Sequence, residues 1–371
     1  MKLVFAIFRY FPHGGLQKDF LRIAGEAASR GHEVICFTNR WDGEIPSFLR
    51  VEYAHIRALT NHGAMRRFET ALGSFIERVR PDRSLAFSRT GGTDFFFAGD
   101  DCFAALVAAR KNPFLRFLPR TRAYLTLERH IFGKDSKVRI LYLTERQKKA
   151  YQQYYGTDDA RFLYLPPSGS PGCFRTEGDN LVRARKRREL GLKDDDVMLL
   201  EIASDFPCKG VDRTIRAAAA LPDEIRRNVR LFLVGGGPEA HRRPFVRLAE
   251  QSGMADRTVF TGARDDVKEF LLAADLVVHP ARKEAAGIVL YESLAAETPL
   301  ICTDVCGYAP LVRGSGCPVL EGPFSQEALD EALRRLLSEG ELLRLRERLH
   351  GISGSLPRTP REKTAADILL A

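Results

Sequence analysis

Twice along the chain, a short apolar segment rich in β-forming residues leads through a loop into a helical stretch and then into a second β-rich segment. The first occurrence runs from KLVFAIF through Gly14 and Gly15 into a helical pattern over 16–30, followed by EVICFT. The second begins at VMLLEIA (197–203) and continues through a helical pattern over 211–220 to LFLVGGG. Strand, loop, helix and strand form a βαβ unit, which requires a parallel sheet. The sequence therefore predicts two α/β domains with Rossmann-like topology.

The length of the chain agrees with two domains, because 371 residues exceed what one hydrophobic core usually supports. Proline and glycine cluster in LPPSGSPG (165–172), where regular structure is expected to stop. We place the boundary there, with an N-terminal domain over 1–166 and a C-terminal domain beginning at 167. In open α/β sheets, ligands bind at the carboxyl ends of the strands. Two such domains are expected to enclose a cleft, lined by the loops that directly follow strands.

Composition narrows the class of protein. No stretch approaches the roughly 20 apolar residues that span a bilayer. The segment 1–11 has some signal-peptide character, but Arg9 interrupts it and no cleavage site follows, so we expect a first β-strand. The seven cysteines show neither a disulfide framework nor zinc-ligand spacing, which favours reduced thiols in the cytoplasm. A net charge of +9 indicates an anionic partner.

Two loops that follow strands carry candidate phosphate-binding groups. Gly14 and Gly15 lie between a strand and a helix, where glycines allow the backbone N–H groups to approach a ligand closely. A plain tight turn explains the same pair. Lys209, in SDFPCKG after the strand 197–203, stands where a lysine pairs with phosphate oxygens or is merely solvated. Neither segment decides the function alone.

The most specific segment follows the strand LVVHP (276–280). Glu284 comes just before a helical stretch, GIVLYESLAAE, and Glu292 lies one to two turns inside it. The free N–H groups at the start of that helix, around Gly287 to Val289, can hold a phosphate. A carboxylate beside a phosphate site would repel the anion unless it binds hydroxyl groups. This arrangement favours a nucleotide-sugar ligand, with one glutamate on a sugar and the other on a ribose.

The spacing of Glu284 and Glu292 after a strand ending in HP, together with the lysine–glycine loop, resembles the retaining GT-B glycosyltransferases of family four. Among these enzymes, the chain resembles the lipopolysaccharide core glucosyltransferase I family (the heptose glucosyltransferases) along most of its length. The resemblance rests on RYFPHGGLQKDFLRIA, SRGHEV, TNHG, FAGDDC, RFLYLPP, SDFPCKGVDR, AADLVVHPARKEAAGIVLYE, DVCGYA, PFSQE and KTAADIL. It implies a GT-B fold with a nucleotide-sugar-binding domain over 167–355 and a terminal segment, 356–371, that packs back on the N-terminal domain.

The resemblance also implies site residues. Catalytic positions would be Asp100 at the reacting sugar, Lys209 on the diphosphate and Glu284 on the hydroxyls of the donor sugar. The positions expected to bind substrate are Gly14, Gly15, Asp19, Arg264, Ala286, Gly287, Ile288, Val289 and Glu292. No metal site is expected, because no Asp-x-Asp motif stands on a suitable loop. No cofactor is expected either, since the UDP-sugar is a co-substrate.

The implied reaction transfers a sugar, with glucose from UDP-glucose favoured, onto a heptose of the lipopolysaccharide inner core with retention of configuration. Front-face attack by the acceptor is the expected route. Pro207 and Cys208 stand where relatives carry glycine or polar or basic residues. The loop over 87–93 and the hinge PPSGSPG also depart from the family pattern. These departures leave open a different sugar or glycolipid acceptor, or an inactive family member.

A basic, aromatic segment indicates where the acceptor is met. RKNPFLRFLPRTRAYLTLER (110–129) holds six arginines and lysines interleaved with exposed aromatic candidates such as Phe114 and Phe117. Such a stretch suits an anionic membrane surface, and a helical hairpin packed on its domain is the alternative. We expect residues 103–132 to hold the enzyme peripherally on the cytoplasmic face of the inner membrane, where a lipid-linked core oligosaccharide is the acceptor.

Other classes of protein explain the sequence less well. A dinucleotide-dependent oxidoreductase would need a complete GxGxxG and an acidic ribose ligand about 20 residues further on, which VGGGPE does not supply. A nucleotide-sugar epimerase or a phosphorylase on the same plan stays open, and cofactor absorbance would reveal the phosphorylase. No nucleic-acid-binding module is recognisable, so no nucleic-acid partner is expected.

Overall fold

The structure, a computed structural model, describes residues 1–12, 14–110, 112–170, 172–236, 239–338 and 340–371. His13 of the first glycine loop, Lys111 of the basic segment, Pro171 of the hinge and Gly237 and Pro238 of VGGGPE lie outside the described residues. The chain forms two compact domains, 1–166 with 359–371 and 167–358. Both are Rossmann-like α/β domains, as predicted.

The first domain is built on a parallel sheet whose described strands run in the order β3-β2-β1-β4-β5-β6-β7. Its strands are β1 (Lys2–Tyr10), β2 (Glu33–Trp41), β3 (Leu49–Tyr53), β4 (Arg83–Ala86), β5 (Phe95–Ala98), β6 (Arg139–Tyr142) and β7 (Phe162–Tyr164). The helices between them are α1 (Gly15–Ser29), α2 (Asn61–Val79), α3 (Phe103–Ala108), α4 (Pro119–Phe132) and α5 (Glu145–Tyr155), with short 3-10 turns at Pro113–Phe117 and Asp159–Arg161.

The segment 1–11 forms a central strand of this sheet, which confirms the expectation of a first β-strand. Its apolar run is continuous because helices cover both faces of a parallel sheet. Leu3, Val4 and Phe5 are accordingly almost fully buried. Each of the first βαβ elements predicted from the glycine loop is present.

The second domain repeats the plan with the strand order β10-β9-β8-β11-β12-β13, again parallel. Its strands are β8 (Val197–Ala203), β9 (Val229–Gly235), β10 (Thr258–Gly262), β11 (Leu276–His279), β12 (Leu300–Thr303) and β13 (Val319–Leu320). The helices are α6 (Asp179–Glu189), α7 (Phe206–Lys209), α8 (Val211–Ala219), α9 (Asp223–Arg226), α10 (Glu239–Gln251), α11 (Val267–Ala273), α12 (Ile288–Ala295), α13 (Ala309–Gly314), α14 (Gln326–Leu337) and α15 (Glu341–Leu349), with 3-10 turns at Ala255–Arg257 and Ile352–Ser355.

The chain ends in a helix, α16 (Arg361–Leu370), that packs on α1 of the first domain. Arg361 is buried there and its Nη1 donates to Asp19 Oδ2 at 2.8 Å. The expected return of the terminal segment is therefore present, but it begins at residue 359 rather than 356. Residues 356–358 stay with the second domain, because the Tyr291 hydroxyl donates to Pro357 O and Arg358 lies over the Phe174 ring.

The basic stretch over 183–192 has the composition of a solvated helix face, yet several of its cations are paired with acidic residues. Lys186 is 1% exposed and its Nζ donates to Asp266 Oδ2 at 2.5 Å. Arg183 and Arg187 both bind Asp275. The helix sequence alone does not reveal these pairings, because Asp266 and Asp275 lie 80 and more residues later in the chain.

Candidate functional site

Two predicted residues of the second domain meet at the carboxyl edge of its sheet. Lys209 ends α7 after β8, and Glu284 follows β11, the neighbouring strand. The Lys209 Nζ donates to Glu284 Oε2 at 2.5 Å, and both side chains are largely buried. His279, the last residue of β11, places its Nε2 3.2 Å from the same oxygen. Lys209 and Glu284 are 75 residues apart in the chain, and they meet because the adjacent parallel strands β8 and β11 end at the same edge of the sheet.

Electrostatics keep this pair ionised. Burial raises the pKa of the Glu284 carboxyl, but the hydrogen bond with His279 and the charge of Lys209 outweigh burial and lower that pKa to about 2. Burial lowers the pKa of Lys209, while the Glu284 carboxylate more than offsets this and raises it. Because dehydration cancels much of the attraction in a buried ion pair, such a pair contributes little net stability. A partly buried, ionised pair at a strand edge is instead a candidate functional site.

The helix that follows Glu284 begins as the sequence predicts. Gly287 has φ of +94° and precedes α12, so its left-handed backbone favours glycine at the turn. Ile288 and Val289 form the first turn, where backbone N–H groups have no intrahelical acceptor. Ala286 is buried beside them, and its carbonyl accepts from Tyr308 N at 2.7 Å.

Glu292 lies within α12 and is mostly buried. Its Oε1 accepts a hydrogen bond from the Ser170 backbone N–H at 2.8 Å. Glu292 therefore anchors the hinge loop that opens the second domain. The predicted contact between Glu292 and a ribose stays a prediction.

The predicted residues of the first domain lie at two kinds of position. Gly14 caps α1 and Gly15 begins it, so both stand at the carboxyl end of β1. Asp19 is buried in its ion pair with Arg361. Asp100, after β5, is 70% exposed at its side chain, with one oxygen 4.0 Å from Arg89 Nη2. Gly14, Gly15 and Asp100 therefore follow the carboxyl ends of strands, and Asp19 pairs with the C-terminal helix. The predicted substrate contacts of all four residues stay predictions.

Arg264 follows β10 and forms a bidentate ion pair. Its Nε and Nη2 each donate to Asp266 at 2.8 Å. Lys186 binds the same carboxylate, and these hydrogen bonds lower the pKa of Asp266. The guanidinium of Arg264 thus has an acidic partner in this structure. Its predicted contact with substrate stays a prediction.

The unusual residues Pro207 and Cys208 are accommodated by the short helix α7. Asp205 caps it by accepting from Cys208 N at 3.0 Å, and Pro207 occupies the first turn, where no N–H is required. The Cys208 thiol lies 3.3 Å from Lys283 O.

Three polar residues near the two strand edges escaped the sequence analysis. In the sequence, His279 stood out only as part of the strand motif LVVHP, without a role of its own. Arg89 lies 3.4 Å from the buried Glu128, a pairing that joins segments 39 residues apart. Glu201 is fully buried on β8, and neither of its oxygens has a hydrogen-bond partner among the described residues. An acidic residue inside an apolar strand, VMLLEIA, was the available signal for Glu201.

In the part of the chain that the structure describes, no helix combines the length and the apolar character that crossing a bilayer requires.

Comparison with known proteins gives a consistent set of relatives. The family profile for glycosyl transferases group 1 matches residues 182–350. Lipopolysaccharide glucosyltransferase WaaG of Escherichia coli strain K12 is 38% identical over 343 residues, which cover 92% of this chain and 91% of the relative. The crystal structure of WaaG, described as a glycosyltransferase involved in lipopolysaccharide biosynthesis, superimposes with a TM-score of 0.92 over 99% of both chains at 36% identity.

A more distant likeness concerns the fold alone. The Anabaena protein HepE, solved in complex with UDP-glucose, superimposes with a TM-score of 0.71 at 15% identity, covering 99% of this chain and 98% of HepE.

Proposed function

We propose that this chain, which belongs to the lipopolysaccharide core glucosyltransferase I family within the group 1 glycosyl transferases, transfers glucose from UDP-glucose to a heptose of the lipopolysaccharide inner core. The chain is a glycosyltransferase. The donor sugar, the heptose acceptor, retention of configuration and independence from metal ions are the proposed refinements of that activity.

The Lys209–Glu284 pair is the observation that carries the proposal. When the bond between glucose and UDP breaks, negative charge develops on the diphosphate. A fixed ammonium and the N–H groups at the start of α12 are the kind of preorganised partners that stabilise such charge. Lys209 would take over the role that a metal ion plays in other transferases. Glu284, once Lys209 turns to the diphosphate, can accept hydrogen bonds from the hydroxyls of the donor sugar.

The transfer step proposed here uses no protein nucleophile. The acceptor hydroxyl attacks the anomeric carbon from the face that the diphosphate leaves, and the departing phosphate oxygen takes the proton of the hydroxyl. Asp100 would face the reacting groups from the first domain, and Gly14 and Gly15 would border the diphosphate. A covalent sugar adduct on Asp100 would contradict this route.

The donor is tested by thermal unfolding of the purified protein with UDP, UDP-glucose, UDP-N-acetylglucosamine, GDP-mannose, ADP-glucose and NAD. A ligand at about 100 times its dissociation constant stabilises the folded state by roughly 2.7 kcal/mol, which raises Tm by several degrees. We expect UDP and UDP-glucose to produce this shift with EDTA present. The anomeric configuration of the product, read by NMR, is expected to match that of the donor.

Each other outcome of this experiment has a defined meaning. A larger shift with another UDP-sugar would retain the transferase and replace glucose. Loss of the UDP-glucose shift in EDTA would contradict metal independence. A shift with NAD alone would contradict the proposed donor class.

The proposed membrane partner rests on the exposure of apolar side chains in the described part of residues 103–132. Phe114, Phe117 and Leu118 are 74%, 60% and 49% exposed at the turn that precedes α4. Arg116 lies over the Phe117 ring at 4.7 Å. Exposed apolar residues flanked by cations favour the interface of an anionic bilayer. The enzyme would thereby work peripherally on the cytoplasmic face of the inner membrane.

Changing Phe114 and Phe117 together to serine is expected to lower binding to phosphatidylglycerol vesicles by about tenfold or more. The reason is that the variant no longer inserts these two aromatic rings into the apolar part of the bilayer. Vesicle flotation measures the bound fraction. Leu181→Ser is the matched control, since Leu181 is equally exposed but lies in the second domain. Equal binding by all three proteins would contradict the membrane role of this segment.

A further inference from the structure

The first domain contains two adjoining cavities between α2 and α4, and no predicted site residue is among the residues that line them. Their volumes are about 670 Å³ and 430 Å³. Arg66 and Thr126 line both, so the two form one groove. Basic side chains dominate its charged lining: Arg66, Arg67 and Arg122, with His62 and His130 beside them.

The acidic residue that lines the groove, Glu69, is already engaged. Its Oε1 accepts from the Gly91 N–H at 2.7 Å, and its Oε2 lies 2.9 Å from His130 Nδ1. Glu69 therefore fixes α2 to α4 and to the loop after β4. Among the described residues, Glu69 forms no ion pair with the arginines of the groove.

Two arginines of the groove have uncommitted guanidinium groups. Arg67 donates to the Arg57 carbonyl, whereas the side chains of Arg66 and Arg122 have no hydrogen bond or ion pair within the described residues. They come from different helices and border the same cavity. Like charges held at one concave surface repel each other, and an anion placed between them relieves this repulsion. Guanidinium forks bind phosphate oxygens in pairs, which makes a phosphate group the fitting ligand.

The position of the groove indicates the source of that phosphate. Pro119, Arg122 and Thr126 of α4 form one wall, and the exposed Phe114, Phe117 and Leu118 directly precede this helix. If those apolar side chains enter a membrane, the groove lies beside its surface, where headgroups are within reach. Arg66 adds a wall from α2, a helix outside the basic segment itself.

We propose that this groove binds a phosphate group of the lipid-linked acceptor, so that a phosphorylated glycolipid is held by its headgroup. The groove then selects phosphorylated acceptors over neutral ones. This inference rests on the proposed function for the identity of the acceptor, but the groove itself is defined by Arg66 and Arg122.

The direct test is binding without the sugar donor. A short-chain, water-soluble phosphorylated glucosamine glycolipid is titrated against the full chain, and its dephosphorylated counterpart serves as the matched ligand. We expect Arg66→Ala and Arg122→Ala each to weaken binding of the phosphorylated probe by about ten- to a hundredfold, as for loss of a charge-assisted hydrogen bond. Binding of the dephosphorylated probe is expected to be weak and unchanged.

Arg78→Ala is the control variant. Arg78 lies in the last turn of α2, over the Phe75 ring, and outside the groove, so its removal changes the net charge equally. An equal effect of Arg78→Ala and Arg66→Ala would overturn the inference, because only overall charge would then matter. Equal affinity of wild type for both probes would overturn it as well.

Vesicle binding separates a headgroup site from a general anionic surface. Phosphatidylglycerol vesicles are expected to bind Arg66→Ala nearly as well as wild type. If that variant loses vesicle and probe binding in parallel, the groove is only part of the membrane-binding charge and the inference fails. Since no arm uses UDP-glucose, failure of the proposed donor would appear separately, in the unfolding experiment with nucleotide sugars.

Discussion

Changing Lys209 to alanine is expected to reduce kcat/KM for sugar transfer by about a hundred- to a thousandfold. Removing one preorganised charge from a developing anion costs about this much in enzymes where it has been measured. The loss should fall mainly on kcat, since the diphosphate carries more charge in the transition state than in the bound donor. Steady-state release of UDP, measured with saturating acceptor, gives both constants.

Lys193→Ala provides the matched control for this experiment. Lys193 is exposed and precedes β8, at the opposite edge of the same sheet, so the change in net charge is equal. Thermal unfolding of both variants separates a catalytic effect from a loss of fold. If Lys209→Ala retains kcat/KM within about threefold of wild type, Lys209 does not stabilise the leaving group. The proposed mechanism would then have to be abandoned.

The second large effect concerns stability and pH. Burial raises the pKa of Glu201 to about 8 and outweighs the opposing influence of the nearby Thr214 side chain and of the His279 charge. The pKa of this carboxyl in the unfolded chain is near its ordinary value of 4.5. Between these two values the folded chain retains a proton that the unfolded chain has released. The free energy of unfolding therefore falls as pH rises through this window, by about 1.4 kcal/mol per pH unit.

Glu201→Gln is expected to remove that part of the pH dependence, because the amide does not titrate. Denaturant unfolding at pH 5.5 and pH 7.5 should show that wild type loses about 3 kcal/mol more than the variant between these conditions. Glu224→Gln is the control, because it removes a carboxylate at an exposed position of α9. It should leave the pH dependence of the free energy of unfolding as in wild type. Equal slopes in wild type and Glu201→Gln would show that Glu201 does not carry a raised pKa.

The sequence predicted the fold because its signals are local. Each strand of the first βαβ unit is an apolar run, and each helix has its own periodic pattern, as in α1. The residues that follow strands could likewise be proposed as ligand-binding from position alone, because parallel strands end at one edge. Lys209 and Glu284 were selected in this way, and the structure brings them into contact across β8 and β11.

Partners far apart in the chain could not be predicted. The basic stretch over 183–192 has the composition of a solvated surface, yet Asp266 pairs with Lys186 and Asp275 with Arg183. Asp19 stands in the predicted ligand loop, and the sequence did not reveal its ion pair with Arg361 of the last helix. In each case the sequence gives the charge of one side chain and is silent about which distant group faces it.

The amino-acid sequence by itself thus determined the two α/β domains, the family and the strand-end positions of the candidate site, since these depend on periodicity and on motifs read along the chain. Only the tertiary structure decided which of those groups are paired. It also decided that the carboxyl of Glu201 is buried without a partner and that Arg66 and Arg122 line one groove. The physical reason is that pairing energies and pKa shifts depend on distance and burial, which arise only when remote segments pack together.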